Sequence, residues 1–337
     1  MCCNLTKALV KAGHEVEVIS MFSLHNEFTE ELGGIVKIHF LDKHLGFDPS
    51  VIFKARKIIK EFAPDVIHTH IGALRYAVFA SFGLKVKIVH TVHNIAQKET
   101  GKVWQLVNRR HFHSKRVIPV ALSEKIKDTV MQVYKLDGDA VPVVLNGIDL
   151  DKCIRKTDFS KKDVFTVINV ARFSLQKNHI RLLEAFSAFS SRVPEARLVL
   201  VGDGELREEI ENKIRQLSLD EKAVLAGLQS NVFPFLANAD VFTLSSDYEG
   251  MPMTLIEAMG TSLPIVSTNV GGISDMLENG KEALLTDTTP EALCDAYYAV
   301  YSDDALREKL AAGAYIRSKD FSSETMAREY LKIYSGK

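Results

Sequence analysis

Leu5, Ala8, Leu9 and Ala12 recur at the spacing of one helix face, and Gly13 stands where that helix would stop. Glu15–Ser20 then alternates between polar and apolar positions, as a strand does. A helical pattern over Val51–Phe62 leads into a short apolar strand at Pro64–His70. Further strands are predicted at Val86–His93 and Val117–Leu122, and Ser123 is placed to cap a helix over Glu124–Tyr134. Val141–Leu145 reads as a strand and Asn146-Gly147 as a turn. The second half repeats the rhythm. Strands are predicted at Val164–Val170, Ala196–Val201, Val224–Ala226, Val241–Leu244 and Pro264–Ser267. Helices are predicted at Ile180–Ser190, Leu206–Leu217 and Pro252–Met259, with a mostly helical remainder from Pro290.

Alternation of strand and helix in both halves predicts an α/β chain built of two Rossmann-like parallel-sheet domains. The apolar rhythm breaks and charges accumulate near Asn146–Asp163, which sets the boundary there. Charge supports the division. Residues 1–148 hold 20 basic and 14 acidic side chains (net +6), residues 149–337 hold 22 and 29 (net −7), and ten of the 11 histidines lie in the first half. The 46% hydrophobic and 25% charged content is that of an ordinary globular protein. Cys2, Cys3, Cys153 and Cys294 match no zinc or redox spacing and read as reduced thiols of a cytosolic protein. No uncharged apolar run reaches membrane-spanning length, and no signal peptide is expected.

Three segments carry candidate chemistry. In SSDYEGMPMTLIEAMG (Ser245–Gly260), Pro252 suits the first helical position, where its missing N–H costs nothing. The backbone N–H groups of Gly250, Met251, Met253 and Thr254 around it then form an anion site. Glu249 precedes the helix and Glu257 lies on its flank, so a ligand with hydroxylated rings at both ends and phosphates between them would fit. In ARFSLQKNH, Arg172 and Lys177 follow a predicted strand, where parallel sheets bind ligands, and their fork and point charge suit a diphosphate. In LVGDGEL, Gly202 and Gly204 permit close backbone approach, although the full dinucleotide fingerprint is absent. Taken singly, each segment reads as readily as solvated loop cations, a surface glutamate pair or a tight turn.

His68 and His70 share a strand face, but no cysteine or acidic cluster accompanies them, so strand-end histidines are expected rather than a metal site. The D-x-D tripeptides Asp137-Gly138-Asp139 and Asp149-Leu150-Asp151 fall in a turn and in the boundary segment. The basic run Arg109–Arg116 (RRHFHSKR) reads as a solvated helix end or as a contact for an anionic leaflet. No aromatic-interleaved basic pattern points to nucleic acid.

Together and in this order, LTKALVKAGHEVEVIS, PDVIHTH, VHTVHN, VLNGID, ARFSLQKN, LVGDGEL, SSDYEGMPMTLIEAMG and PIVSTNVGGI resemble the family 4 retaining glycosyltransferases of GT-B architecture. The resemblance implies two Rossmann-like domains facing a cleft: an acceptor-side domain at 1–148, a nucleotide-sugar domain at 149–316, and a helix at 317–337 crossing back. It implies that Arg172 and Lys177 hold the donor diphosphate and Glu249 the transferred sugar. It places Glu257 on the ribose, Gly202 and Gly204 near the nucleotide, and His93 facing the transferred sugar. It further implies transfer from a nucleotide diphosphate donor, commonly a UDP-sugar, with retention and without a metal or other cofactor. The acceptor would be a carbohydrate or a lipid-linked sugar in polysaccharide or glycolipid synthesis, with a peripheral contact at the inner membrane surface. Two departures stand out: the family's opening strand with its glycine-rich loop is not in this sequence, and Ser262 replaces a usual glycine. The missing strand motivates an alternative, a non-catalytic remnant that binds a nucleotide or a partner.

Overall fold

The structure, a computed structural model, describes residues 1–23, 27–93, 95–160 and 163–336. Asn94, the last residue of VHTVHN, residues 161–162 of the boundary stretch and Lys337 lie outside the described residues. In chain order the elements begin α1 (Cys2–Lys11), β1 (Glu17–Ser20), α2 (Glu27–Gly33), β2 (Lys37–Phe40), α3 (Ser50–Phe62), β3 (Val66–His70), α4 (Leu74–Ala80) and β4 (Lys87–Val92). They continue with α5 (Ala96–Glu99), α6 (Lys102–His113), β5 (Val117–Ala121), α7 (Glu124–Tyr134), β6 (Phe165–Val170), α8 (His179–Arg192), β7 (Ala196–Val201) and α9 (Arg207–Gln216). The remainder comprises β8 (Ala223–Gly227), α10 (Phe233–Asn238), β9 (Val241–Leu244), α11 (Met253–Gly260), β10 (Ile265–Thr268), α12 (Ile273–Met276), β11 (Leu284–Thr286), α13 (Pro290–Ser302), α14 (Asp304–Ser318) and α15 (Ser323–Ser335). The chain divides into unit 1, Met1–Gly147 with Ser323–Lys337, and unit 2, Ile148–Ser322.

Unit 2 holds one six-stranded sheet in the order β11-β10-β9-β6-β7-β8, with every pairing parallel. A parallel sheet is covered on both faces, so its strands are apolar throughout. VFTL of β9 is buried at all four positions, and FTVINV of β6 at five of six. The buried stripe of α8 (Leu182, Leu183, Phe186, Phe189) joins Leu293, Tyr297 and Val300 of α13 in the unit's main core. In order of sequence the strands run third, second, first, fourth, fifth and sixth across the sheet, so the winding reverses between β6 and β9. Ligands bind outside the carboxyl ends of the strands at such a reversal.

Unit 1 is also parallel, but its strands form two separate sheets, β1-β2 and β3-β4-β5. A cavity of about 850 Å³ is lined by α1, β1, β3 and the end of α15, through residues such as Leu5, Leu9, Val18, Val66 and Tyr334. Helix α15 packs on α1 and its ring hydroxyls reach the sheet: Tyr330 bonds Thr91 Oγ1 at 2.7 Å and Tyr334 bonds His68 Nδ1 at 2.6 Å.

Ser123 caps α7 as its sequence predicts, its hydroxyl accepting from the Ile126 N–H at 3.2 Å. Ser123→Ala should lower unit 1 stability by about 1 kcal/mol. A chemical-denaturation midpoint equal to wild type would contradict the capping role.

Two expected elements differ. Val141–Leu145 is not a strand: Val143 makes an isolated parallel bridge to Ala121. Pro142, which has no N–H to donate, keeps the segment from extending the ladder, although its carbonyl accepts from Ala121 N. Pro252 is the N-cap of α11 rather than its first helical residue, with extended ψ of 120°. Helix α11 therefore runs one residue later than Pro252–Met259.

Candidate functional site

The loops leaving β6 and β9 meet at the reversal point of unit 2, and they carry most of the predicted site. After β6, Ser174–Lys177 makes a short turn, and Asn178 adopts a left-handed conformation (φ 45°) to cap α8 through Arg181 N. After β9, Arg181 holds the following loop, donating to the Ser245 carbonyl at 2.8 Å and to Asp247 at 2.7 Å. This brace brings Lys177 and Glu249 together.

The Glu249 side chain is 4% exposed and pairs with Lys177 Nζ at 2.6 Å. Ser246 Oγ donates to the same carboxylate oxygen at 2.6 Å, and Gln176 Nε2 reaches the other at 3.4 Å. Glu249 is thus a buried carboxylate whose orientation is fixed by Lys177, Ser246 and Gln176. Its backbone is fixed as well. The Glu249 carbonyl accepts from Gly272 N at 2.9 Å, and a Cβ on Gly271 would lie 1.9 Å from that oxygen. Gly250 and Met251 follow, then Pro252, and no side chain caps the start of α11 at Met253 and Thr254. The helix dipole there favours an anion.

Arg172 is placed differently from Lys177. Its guanidinium is 74% exposed and pairs with Glu205, itself 53% exposed, at 3.1 Å. An exposed pair of this kind is screened by solvent and weak, so it does little to hold Arg172 in place. The Lys177–Glu249 pair is buried, and parting it would strand a charge.

Gly202 and Gly204 have a structural reason that the sequence reading did not contain. A Cβ on Gly202 would lie 2.0 Å from the Ala171 carbonyl oxygen, and one on Gly204 2.4 Å from that of Phe173. Phe173 N bonds the Asp203 carbonyl at 3.0 Å, so the two loops are laced backbone to backbone. The close approach these glycines permit is to the Arg172 loop.

Burial pushes the Glu257 carboxyl up to about 7. An unfolded chain releases that proton near pH 4.5, so stability should fall as pH rises from about 4.5 to about 7 and level off above. Glu257→Gln should remove this loss. At pH 8 the variant should gain about 3 kcal/mol over wild type, and at pH 4 the two should match. Equal denaturation midpoints at both pH values would rule out the buried carboxyl.

His93 belongs to unit 1, where it closes a histidine cluster at the ends of β3 and β4. His93 Nε2 and His70 Nδ1 are 3.0 Å apart, and the His68 and His70 rings stack at 4.5 Å. His68 also bonds Thr91 at 2.7 Å. Burial lowers His68 to about 3, His90 to about 4 and His70 well below its ordinary range, so these rings are neutral, and the direction of the His70–His93 hydrogen bond follows their tautomers. Among the described residues no group of three His, Cys, Asp or Glu side chains is arranged to hold a metal ion.

Ser246, Gln176, Arg181 and the Gly271-Gly272 pair were not singled out from the sequence. Ser246 carried a faint signal, a hydroxyl three residues before the glutamate. The glycine pair stood in a quoted stretch without a role.

The fold is similar to that of known proteins. A crystal structure of Anabaena HepE in complex with UDP-glucose agrees with a TM-score of 0.81 at 20% identity, covering 100% of this chain and 95% of that one. The fold class is GT-B. Residues 1–152 match the family model Glycosyltransferase Family 4, and residues 152–317 match Glycosyl transferases group 1. EpsF of Bacillus subtilis, assigned as a glycosyltransferase, is 30% identical over 349 residues, covering 97% of this chain and 88% of EpsF. An Escherichia coli UDP-Gal:alpha-D-GlcNAc-diphosphoundecaprenol alpha-1,3-galactosyltransferase is 28% identical over 279 residues, covering 77% of this chain and 72% of its own. The chain belongs to the family 4 glycosyltransferases.

Proposed function

We propose that this glycosyltransferase moves a hexose-type sugar from a UDP-sugar to a hydroxyl of a lipid-linked or polysaccharide acceptor, with retention of anomeric configuration and without a metal. The observation that carries the reading is the buried Glu249 carboxylate, held by Lys177 beside the uncapped start of α11 at the reversal point of unit 2. Relatives whose names specify UDP-galactose and diphosphoundecaprenol-linked sugars support the donor and acceptor classes.

In the reaction the anomeric carbon–oxygen bond to the diphosphate breaks and its electron pair leaves with the diphosphate, while the acceptor hydroxyl oxygen bonds the anomeric carbon from the same face and gives its proton to the departing diphosphate. Negative charge grows there in the transition state, so cations and amides fixed in advance lower the barrier. Arg172 swings from Glu205 onto the diphosphate, and the α11 dipole meets it from the helix side. Lys177 keeps Glu249 oriented on the sugar hydroxyls, and Glu257 takes the ribose.

Calorimetry with UDP, ADP and GDP, followed by product analysis with UDP-glucose, UDP-galactose and their N-acetyl forms, tests the assignment. UDP should bind best, and the product should keep the donor's anomeric configuration. Arg172→Ala should weaken UDP binding roughly 10-fold. UDP binding with neither transfer nor donor hydrolysis would favour a non-catalytic nucleotide binder.

A further inference from the structure

We propose that Tyr334, His68, Thr91 and Tyr330 form an acid-sensitive latch, a chain of hydrogen bonds that holds α15 on unit 1 and releases it on taking up a proton. The chain ties α15 to β3 and β4. Tyr334 OH lies 2.6 Å from His68 Nδ1, His68 Nε2 lies 2.7 Å from Thr91 Oγ1, and Thr91 Oγ1 lies 2.7 Å from Tyr330 OH. The Tyr330 ring also packs on that of His68 at 4.7 Å. Thr91 and Tyr330 are fully buried, and neither hydroxyl has a further partner among the described residues.

A proton count shows why the latch needs a neutral ring. Three bonds join the groups, whereas three hydroxyls and one ring N–H supply four protons. One proton is therefore spare. When Tyr330 donates to Thr91, Thr91 to Nε2, and Nδ1–H to Tyr334, the spare proton is on Tyr334, which lines the cavity of about 850 Å³ where solvent can meet it. A charged ring donates from both nitrogens, so Nε2 no longer accepts from Thr91. The spare proton then falls to Thr91 or Tyr330, and a buried donor is stranded for as long as α15 stays docked.

The neighbours offer the charged ring no counterion. His70 stacks on His68 at 4.5 Å, and His90 and His93 act on it from β4. Lys87 of β4 donates to the Ile333 and Tyr334 carbonyls at 3.2 and 2.6 Å, adding a cation at the same end of α15. Cys2 of α1, Glu17 of β1 and Asp65 beside β3 line the cavity too, but Glu17 is committed to His39 at 2.8 Å and no carboxylate bonds His68 among the described residues. The start of α15 is held separately, by an exposed pair between Lys11 and Glu324 at 3.0 Å. Burial is the main cause that lowers His68 from 6.5 to about 3. The latch is therefore at full strength above about pH 6.5 and weakens as pH falls toward about 3.

The test is hydrogen exchange of the full chain at pH 7.5 and pH 5.5, read by mass spectrometry and corrected for the intrinsic pH dependence of exchange. Between these values the opening constant of α15 should rise roughly 10-fold, the ratio set by 6.5 in the open state and about 3 in the closed one. Strand β9 of unit 2 should keep its protection. His68→Gln takes up no proton and should abolish the rise. Tyr334→Phe keeps the ring but loses the bond, so α15 should exchange faster than wild type at both pH values and still show the rise. Equal corrected exchange of α15 at the two pH values in wild type would overturn the proposal. So would a rise that survives in His68→Gln, a matching rise in β9, or wild-type exchange of α15 in Tyr334→Phe at pH 7.5.

Discussion

Replacing Glu249 by alanine is expected to lower kcat/KM for sugar transfer about 100-fold or more. Two losses combine. The sugar loses a charged hydrogen-bond acceptor, an effect of about 1.5–3 kcal/mol, or roughly 10- to 150-fold in rate when it acts in the transition state. Lys177, only 17% exposed, also loses the carboxylate that holds it at 2.6 Å. Glu249→Gln keeps an acceptor oxygen for Ser246 and for sugar hydroxyls but drops the charge, so it should fall between wild type and Glu249→Ala. UDP affinity should change little in either, because the contact proposed for Glu249 is to the sugar. Steady-state kinetics with the preferred donor, alongside UDP calorimetry, read both effects. Near wild-type turnover in Glu249→Ala would end the assignment of this carboxylate to the sugar.

Gly271→Ala is expected to produce the largest loss of stability, about 3 kcal/mol or more. The residue sits at φ 58°, and its Cβ would lie 1.9 Å from the Glu249 carbonyl oxygen, a backbone atom with no rotamer to escape into. Relief requires the loop after β10 to withdraw from Glu249, which breaks the Gly272 N–H bond to that carbonyl. Activity should therefore fall with stability. Gly250→Ala is the matched control, since a Cβ there meets nothing within 4 Å. Urea unfolding of the two variants separates a tight contact from a general intolerance of the segment. A Gly271→Ala protein as stable as Gly250→Ala would mean the loop yields easily.

Where strands are buried on both faces, local sequence reported them well. FTVINV and VFTL are apolar runs that suit little else, and the Ser123 cap follows from one hydroxyl before a helical pattern. Lys37–Phe40 and Leu284–Thr286 were missed because four and three residues are too few to show a period. In Val141–Leu145 the apolar run suggested a strand, but Pro142 lacks the donor that would extend it. Within the site, residue types pointed to Arg172, Lys177 and Glu249, because cations after one strand and a carboxylate before a helix are local facts. Their division of labour was not local. Only the fold sets Lys177 on Glu249 and Arg172 on Glu205, and only the fold shows Gly202 and Gly204 making room for the Ala171 and Phe173 carbonyls.

Helix α15 follows unit 2 in the sequence yet belongs to unit 1, where Tyr330 and Tyr334 bond the strands beneath. During synthesis, unit 2 emerges whole and contiguous, but unit 1 waits for Ser323–Lys337 to leave the ribosome before its α1 face is covered. Helix α1 is thus made well before the helix that covers it. A stalled or shortened chain would present a finished unit 2 beside an unfinished unit 1, the state that chaperones and proteases meet first.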